Sequence, residues 1–133
     1  MFKLLKTVFT WWNNATVGTH FFTMKRGRLV GTDQYGNKYY EETKSGAAFG
    51  QKRRWVIYNG TVEASRIPSE WHGWMHHTFS DVPSENPLPR KGFEKDHVPN
   101  LTGTTGAYHP AGSLWSGGER PKVSGDYEAW TPE

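Results

Sequence analysis

The last 54 residues, 80–133, limit most strongly what this chain can fold into. They contain seven prolines and seven glycines, but only seven residues that are Leu, Ile, Val or Phe. A segment of this composition buries too little apolar surface to offset the conformational entropy lost on ordering. We therefore expect the core to come from the first 79 residues. Residues 80–133 are predicted to form a long, extended, irregular tail that partners order.

Aromatic residues recur along this tail and separate it from an ordinary polar linker. Tyr108, Trp115 and Trp130 stand alone among Pro, Gly and polar residues. Solitary aromatics of this kind act as anchors in pockets of other proteins. We interpret these three as partner-binding residues; the alternative is a tail that is merely disordered.

A first hairpin is predicted after Gly27. Hydrophobic alternation on either side of Gly36-Asn37 indicates strands near 28–32 and 38–42, because this dipeptide favours a tight turn. Residues 43–52 show no periodicity and read as a loop.

A second hairpin is predicted around Asn59-Gly60, with strands near 53–58 and 61–65. Trp55, Ile57 and Val62 alternate with more polar neighbours and are assigned to the core. The two hairpins give a small antiparallel meander of about four strands. Such a meander is stable only if one of its faces is covered.

A short aromatic helix should provide that cover. Pro68 suits the first turn of a helix, since its missing N–H would have no partner there. Trp71 and Trp74 then fall on one side at helical spacing and are assigned to the core. The predicted class is α+β, with a domain over 27–79 that joins this helix to the meander.

The first fourteen residues predict an amphipathic helix of their own. Phe9, Trp11 and Trp12 lie on its wide apolar face, and lysines lie on the other side. The helix either joins the core or rests on a membrane surface or in a groove of a partner. We assign these three aromatic residues to partner binding.

Composition excludes several classes of protein. The chain has no cysteine, which removes disulfide frameworks and thiolate sites for zinc or iron–sulfur clusters. No apolar run is long enough to cross a bilayer, and the N-terminus lacks the pattern of a signal peptide. Residues 1–54 carry a net charge of +7 and residues 55–133 a net charge of −4, so a basic front precedes an acidic back.

No arrangement of residues predicts catalysis. His72 and His76 are four apart on the predicted helix, but the spacing supplies no third ligand and no His-Glu-x-x-His motif, so we predict no metal. Phosphate-binding loops and nucleophile motifs are absent, and we predict no catalytic residue, no cofactor and no small-molecule substrate. The basic front with its tyrosines leaves a small RNA-binding sheet as an alternative.

Four segments, in order and at similar spacing, carry a resemblance to a known family. The chain resembles the small accessory subunit of respiratory complex I, of a family that also contains the assembly factor mimitin. The segments are Gly31–Tyr40, Arg54–Tyr58, Pro68–His77 and His97–Pro110. Ser69 departs from the pattern, since relatives often carry a second proline there.

The resemblance implies a non-catalytic subunit on the peripheral arm that supports assembly and stability. Its implied partners are the ferredoxin-like subunit with two four-iron clusters and the quinone module, with no nucleic acid. Asn100 and Thr102 belong to the similar tail segment and are assigned to partner binding.

Within this family, the tail favours the accessory subunit that stays in the finished complex over the assembly factor. The assembly factor has a charged, helix-prone C-terminal half, which this chain lacks. The start of the chain is compatible with an alphaproteobacterial complex at the cytoplasmic face of the inner membrane. In a eukaryote the corresponding place is the matrix face of the mitochondrial membrane.

Overall fold

A computed structural model describes Leu5, Phe9 and residues 15–44 and 50–132. The predicted helix over 1–14, including Trp11 and Trp12, otherwise lies outside the described residues. The predicted α+β class is confirmed. Its main elements in chain order are helix α1 (Val17–Arg26), strands β1 (Gly27–Thr32), β2 (Lys38–Glu42) and β3 (Arg54–Ile57), and helix α2 (Ser69–Met75).

The three strands form one antiparallel sheet in the order β1-β2-β3. Strands β1 and β2 confirm the first predicted hairpin. Tyr40 lies opposite Leu29 and Tyr39 lies opposite Gly31, so β1 carries an irregularity at Val30. Such a bulge bends a strand and re-aims its side chains.

Helix α1 was not predicted. Thr16 caps it by accepting a hydrogen bond from the N–H of Thr19 at 3.2 Å, and its last turn is basic. Trp55 Nε1 donates to Thr23 Oγ1 at 3.0 Å, and the ring of Phe22 lies 5.4 Å from that of Trp55. Helix α1 therefore covers the sheet face that carries Trp55.

Helix α2 covers the opposite face. Tyr39 neighbours Tyr40 in β2, so the two side chains point to different faces. Tyr40 stacks near Trp55, whereas Tyr39 packs between Trp71 and Trp74 of α2. These two tryptophans and Tyr39 are buried together with Ile67 and form the centre of the core.

The predicted fourth strand over 61–65 is wrong. A type I′ turn needs positive φ at both central residues, and only Gly60 has it. Asn59 is instead held by Asn37 and Tyr35, as described below. The chain then enters a 3-10 helix at Ala64–Arg66. Val62 is 51% exposed, so its assignment to the core is also wrong.

Contacts divide the chain into two units, 1–100 and 101–133. The described part of the second unit contains turns and a 3-10 helix at Leu114–Ser116. Within the part of the chain that the structure describes, no helix has the length and apolar character needed to span a bilayer.

Candidate interaction surface

The turn between β1 and β2 is organised by the carboxylate of Asp33. Its Oδ1 accepts hydrogen bonds from the N–H groups of Tyr35 at 2.9 Å and Asn37 at 3.0 Å. Its Oδ2 accepts from Asn37 Nδ2 at 2.9 Å and from the hydroxyl of Tyr39 at 2.7 Å. Four donors on one carboxylate hold the turn in a single conformation.

Asn37 extends this network to a distant part of the chain. Its side chain is fully buried, and its Oδ1 accepts from the N–H of Asn59 at 2.9 Å. Its Nδ2 also donates to the carbonyl of Arg66 at 3.3 Å. Because every polar atom of the Asn37 side chain is bonded, burial of this amide is not costly.

The same turn fixes the end of the first unit. The hydroxyl of Tyr35 donates to the carbonyl of His97 at 2.7 Å, and His97 Nε2 lies 2.9 Å from the carbonyl of Ser65. The N–H of Asn100 donates to Ser65 Oγ at 3.0 Å. Residues 97–100 are thus held on the body of the first unit.

Burial raises the pKa of Tyr39, and its hydrogen bond to Asp33 raises it further. Tyr39 is completely buried, so a phenolate there would lose its hydration. The neutral hydroxyl can donate to Asp33, whereas a phenolate would face that carboxylate with like charge. Burial likewise raises the pKa of Tyr58.

Arg54 connects β3 to the end of α2. Its guanidinium donates to the carbonyl of Trp74 at 2.6 Å and to that of Phe79 at 3.3 Å. It also lies 4.4 Å from the centre of the Trp74 ring and pairs with Glu41 at 3.3 Å. The side chain of Arg54 is only 9% exposed, so these contacts replace water around its charge.

Four other cations of the predicted basic front are also paired. Arg26 and Arg53 lie within 4 Å of the Glu42 carboxylate, and Arg28 and Lys52 lie close to that of Glu41. This pairing draws the charges toward two glutamates on β2.

The predicted partner-binding residues in the second unit are largely exposed. Tyr108 is 87% exposed, Trp115 is 75% exposed and Trp130 is 80% exposed. Trp115 stacks on the ring of His109 at 5.0 Å, which keeps one face of its indole covered. In the first unit, Phe9 is exposed as well.

The other predicted residues divide between contacts and core. Asn100 bonds to Ser65 as described, and Thr102 also has a partner within the chain. Trp71 and Trp74 are buried, while Trp55 and Ile57 are half-buried. Sequence reasoning missed Asp33, Tyr35 and His97, although two of the four similar segments contain them.

The histidines of α2 lie close together. The rings of His72 and His76 are 4.2 Å apart. Over residues 15–44 and 50–132, no group of three or more His, Asp or Glu side chains is placed to hold a metal ion.

The buried network joins the sequence segments that carried the family resemblance. Asp33, Tyr35 and Asn37 come from one segment and His97 from another, although more than fifty residues separate them. Residues 27–132 match the family model for NADH ubiquinone oxidoreductase subunit NDUFA12. The chain belongs to this family. The matched range contains the whole sheet, helix α2 and nearly all of the second unit.

Similar proteins come from distant organisms. A Bos taurus protein named NADH dehydrogenase (ubiquinone) 1 alpha subcomplex subunit 12 is 44% identical over 94 residues, which cover 63% of each chain. A Dictyostelium discoideum protein of the same name is 36% identical over 105 residues, covering 76% of this chain and 74% of its own. An uncharacterized Rickettsia prowazekii protein, RP725, is 35% identical over 72 residues, covering 54% and 67% respectively. The match thus spans less than two thirds of the bovine relative.

Proposed function

We propose that this chain is a non-catalytic accessory subunit of respiratory complex I, the NADH:ubiquinone oxidoreductase. Membership of a family named for a subunit of that enzyme carries the proposal. A structural role is supported by Asp33, Asn37 and Arg54, whose polar groups hold turns and segments of the chain together. In this role the chain binds no cofactor, and electrons pass through neighbouring subunits.

The proposed place of the chain is the peripheral arm, over the ferredoxin-like subunit with two four-iron clusters and near the quinone module. There it supports assembly and stability of the complex. The exposed aromatics of the second unit support this role, since Tyr108, Trp115 and Trp130 have little apolar surface of their own chain to pack against. The N-terminal segment with Trp11 and Trp12 would rest on the membrane surface or in a neighbouring groove.

This place lies at the cytoplasmic face of a bacterial inner membrane, or at the matrix face of the mitochondrial membrane in a eukaryote. The RNA-binding alternative is less well supported, because the matching family is named for a subunit of complex I.

Native electrophoresis of membranes extracted in mild detergent tests the proposal. A strain that lacks the chain is complemented with the tagged full-length protein, and the tag is followed in the complex I band. We expect the tag to co-migrate with NADH dehydrogenase activity, and we expect the deletion strain to assemble less complex I. A tag found only in other bands would contradict the proposal, as would retained RNA whose binding weakens steeply with salt.

The anchor residues are tested by a triple variant, Tyr108→Ala, Trp115→Ala and Trp130→Ala. Three lost aromatic anchors should lower the fraction retained in complex I by about tenfold or more. The matched control replaces three exposed polar residues of the same unit by alanine, namely Lys122, Glu128 and Thr131. Equal retention of both variants would remove the anchor role and leave the subunit role intact.

A further inference from the structure

Strand β3 lies at an edge of the sheet that the described residues form. It pairs with β2 on one side, and no described strand pairs with its other side. The N–H of Glu42 donates to the carbonyl of Arg53 at 2.8 Å, so Trp55 and Ile57 also direct their backbone groups toward β2. By the alternation of an antiparallel ladder, Arg54 and Val56 direct their N–H and C=O groups outward.

A groove of about 810 Å³ runs along this edge. Thr19 and Phe22 of α1 line it on one side, while Val56 and Trp55 belong to β3. The groove therefore offers apolar surface next to outward-facing backbone donors and acceptors. Both features are needed for an added strand, because main-chain bonds supply affinity and side-chain pockets supply selectivity.

The groove is basic at one end. The side chain of Arg53 lines it and is 63% exposed, and its ion pair with Glu42 is long, at 3.9 Å. Around this end of the sheet, five cations stand against the two carboxylates of Glu41 and Glu42. The cations are Arg26, Arg28, Lys52, Arg53 and Arg54. The excess positive charge complements an acidic ligand.

His77 also lines the groove and has an unusual backbone conformation. Its φ is 58°, and it ends α2 in a Schellman motif, with its N–H donating to Trp74 and the N–H of Thr78 donating to Gly73. Glycine adopts this conformation with the least strain. The motif places the imidazole of His77 at the groove.

We propose that an extended, acidic segment of a neighbouring protein adds to the open edge of β3 as a fourth strand. Its backbone pairs with Arg54 and Val56, and its carboxylates lie near Arg53 and His77. A second copy of this chain is a poorer occupant, because two such edges would bring their arginines together. The inference rests on the proposed function, because complex I is the assembly that would supply the segment. The contact at β3 is separate from the anchors Tyr108, Trp115 and Trp130.

Amide hydrogen exchange tests the pairing directly. In the isolated full-length chain, the amides of Arg54 and Val56 should exchange faster than those of Trp55 and Ile57, which bond to β2. In purified complex I, the Arg54 and Val56 amides should exchange at least about tenfold more slowly than in the isolated chain. Unchanged exchange of these two amides in a complex that contains the chain would overturn the inference and leave the proposed function standing.

A proline substitution separates backbone pairing from side-chain contact. Val56→Pro removes an outward N–H without breaking a bond to β2, which is tolerated on an edge strand. Val56→Ala keeps the N–H and also shortens a side chain that packs against the core, so it serves as the control. We expect the proline variant alone to be retained about tenfold less in complex I, with a near-ultraviolet circular dichroism spectrum that matches that of the alanine control. Equal retention of both folded variants would overturn the inference.

A peptide titration tests the edge without complex I. The probes are the capped synthetic peptides Glu-Val-Thr-Val-Glu and Lys-Val-Thr-Val-Lys, added to the isotopically labelled full-length chain. The acidic peptide should shift the amide resonances of Arg54 and Val56, and the basic peptide should not. Arg53→Gln should weaken binding of the acidic peptide more than Arg28→Gln does, since Arg28 lies outside the groove. Equal shifts with both peptides would overturn the inference that the added segment is acidic. Absence of the chain from the complex I band, by contrast, would contradict only the proposed function.

Discussion

The rings of Tyr39 and Trp71 stack at a centroid distance of 4.0 Å, with their planes 8° apart. Gly31 lies opposite Tyr39 in β1, and a Cβ added to it would lie 2.6 Å from Cη2 of Trp71. The stack therefore requires a residue without a side chain at position 31. A local sequence feature, one glycine, thus sets how closely α2 approaches the sheet.

Gly31→Ala should destabilise the first unit by about 1–3 kcal/mol, because the indole must shift within a packed core. Urea unfolding followed by tryptophan fluorescence measures the change. Gly92→Ala is the matched control, since a Cβ at Gly92 would meet nothing within 4 Å, and its effect should stay within about 0.5 kcal/mol. A similar free energy of unfolding for both variants would contradict the described packing.

Asn37→Ala should cost about 2–3 kcal/mol of stability. The substitution leaves the N–H of Asn59 without its acceptor and removes one of the four donors to Asp33. Asn59→Ala is the comparison, because it removes only an exposed side-chain bond to the carbonyl of Tyr35 and should cost about 1 kcal/mol or less. Thermal and urea unfolding should rank the two variants in this order, and the reverse order would argue against the buried network.

Arg54→Lys should destabilise the chain by about 1.5–3 kcal/mol although it keeps the charge. A lysine cannot bond Trp74, Phe79 and Glu41 with the planar geometry of a guanidinium, and it would be left poorly solvated. Arg28→Lys, at a side chain that is 66% exposed, should change stability by less than about 0.5 kcal/mol. Circular dichroism melts of the two variants make the comparison, and equal melting temperatures would refute the role of Arg54.

Stability should fall in alkaline solution because of Tyr39. Its pKa in the fold is raised above the ordinary value of 10.0, so the folded chain keeps a proton that the unfolded chain releases. The stability that the raised pKa of Tyr39 contributes is complete below pH 10.0 and declines above that pH by about 1.4 kcal/mol per pH unit. Urea unfolding between pH 9 and 11.5 should show this slope, and Tyr39→Phe should reduce it. Tyrosinate absorbance of Tyr39 that appears near pH 10 before unfolding would contradict this expectation.

Local patterns were sufficient for part of the fold. The first hairpin and helix α2 were predicted because alternation, a turn dipeptide and Pro68 all act over a few residues. Helix α1 was missed, since Val17–Arg26 has polar residues on several sides and a weak apolar stripe. Its signals were the cap at Thr16 and the basic last turn.

Long-range contacts explain where prediction failed. Asn59-Gly60 has the composition of a hairpin turn, but Asn37 and Tyr35 hold Asn59 from more than twenty residues away. Such contacts override a local preference and are not visible in the dipeptide. The donors to Asp33 lie within six residues of it and form a local side-chain-capped turn that alternation does not reveal. Asn59 and His97 join this turn only once the sheet and residues 97–100 are in place.

The exposure of the second unit has a consequence for the life of the chain in the cell. Its described hydrogen bonds are local, as in the pairing of Arg120 with Asp126, and its large side chains face solvent. Under the proposed function, a free molecule would present this region to proteases and an assembled one would hide it. Turnover of surplus copies would then keep the amount of the protein matched to that of its assembly.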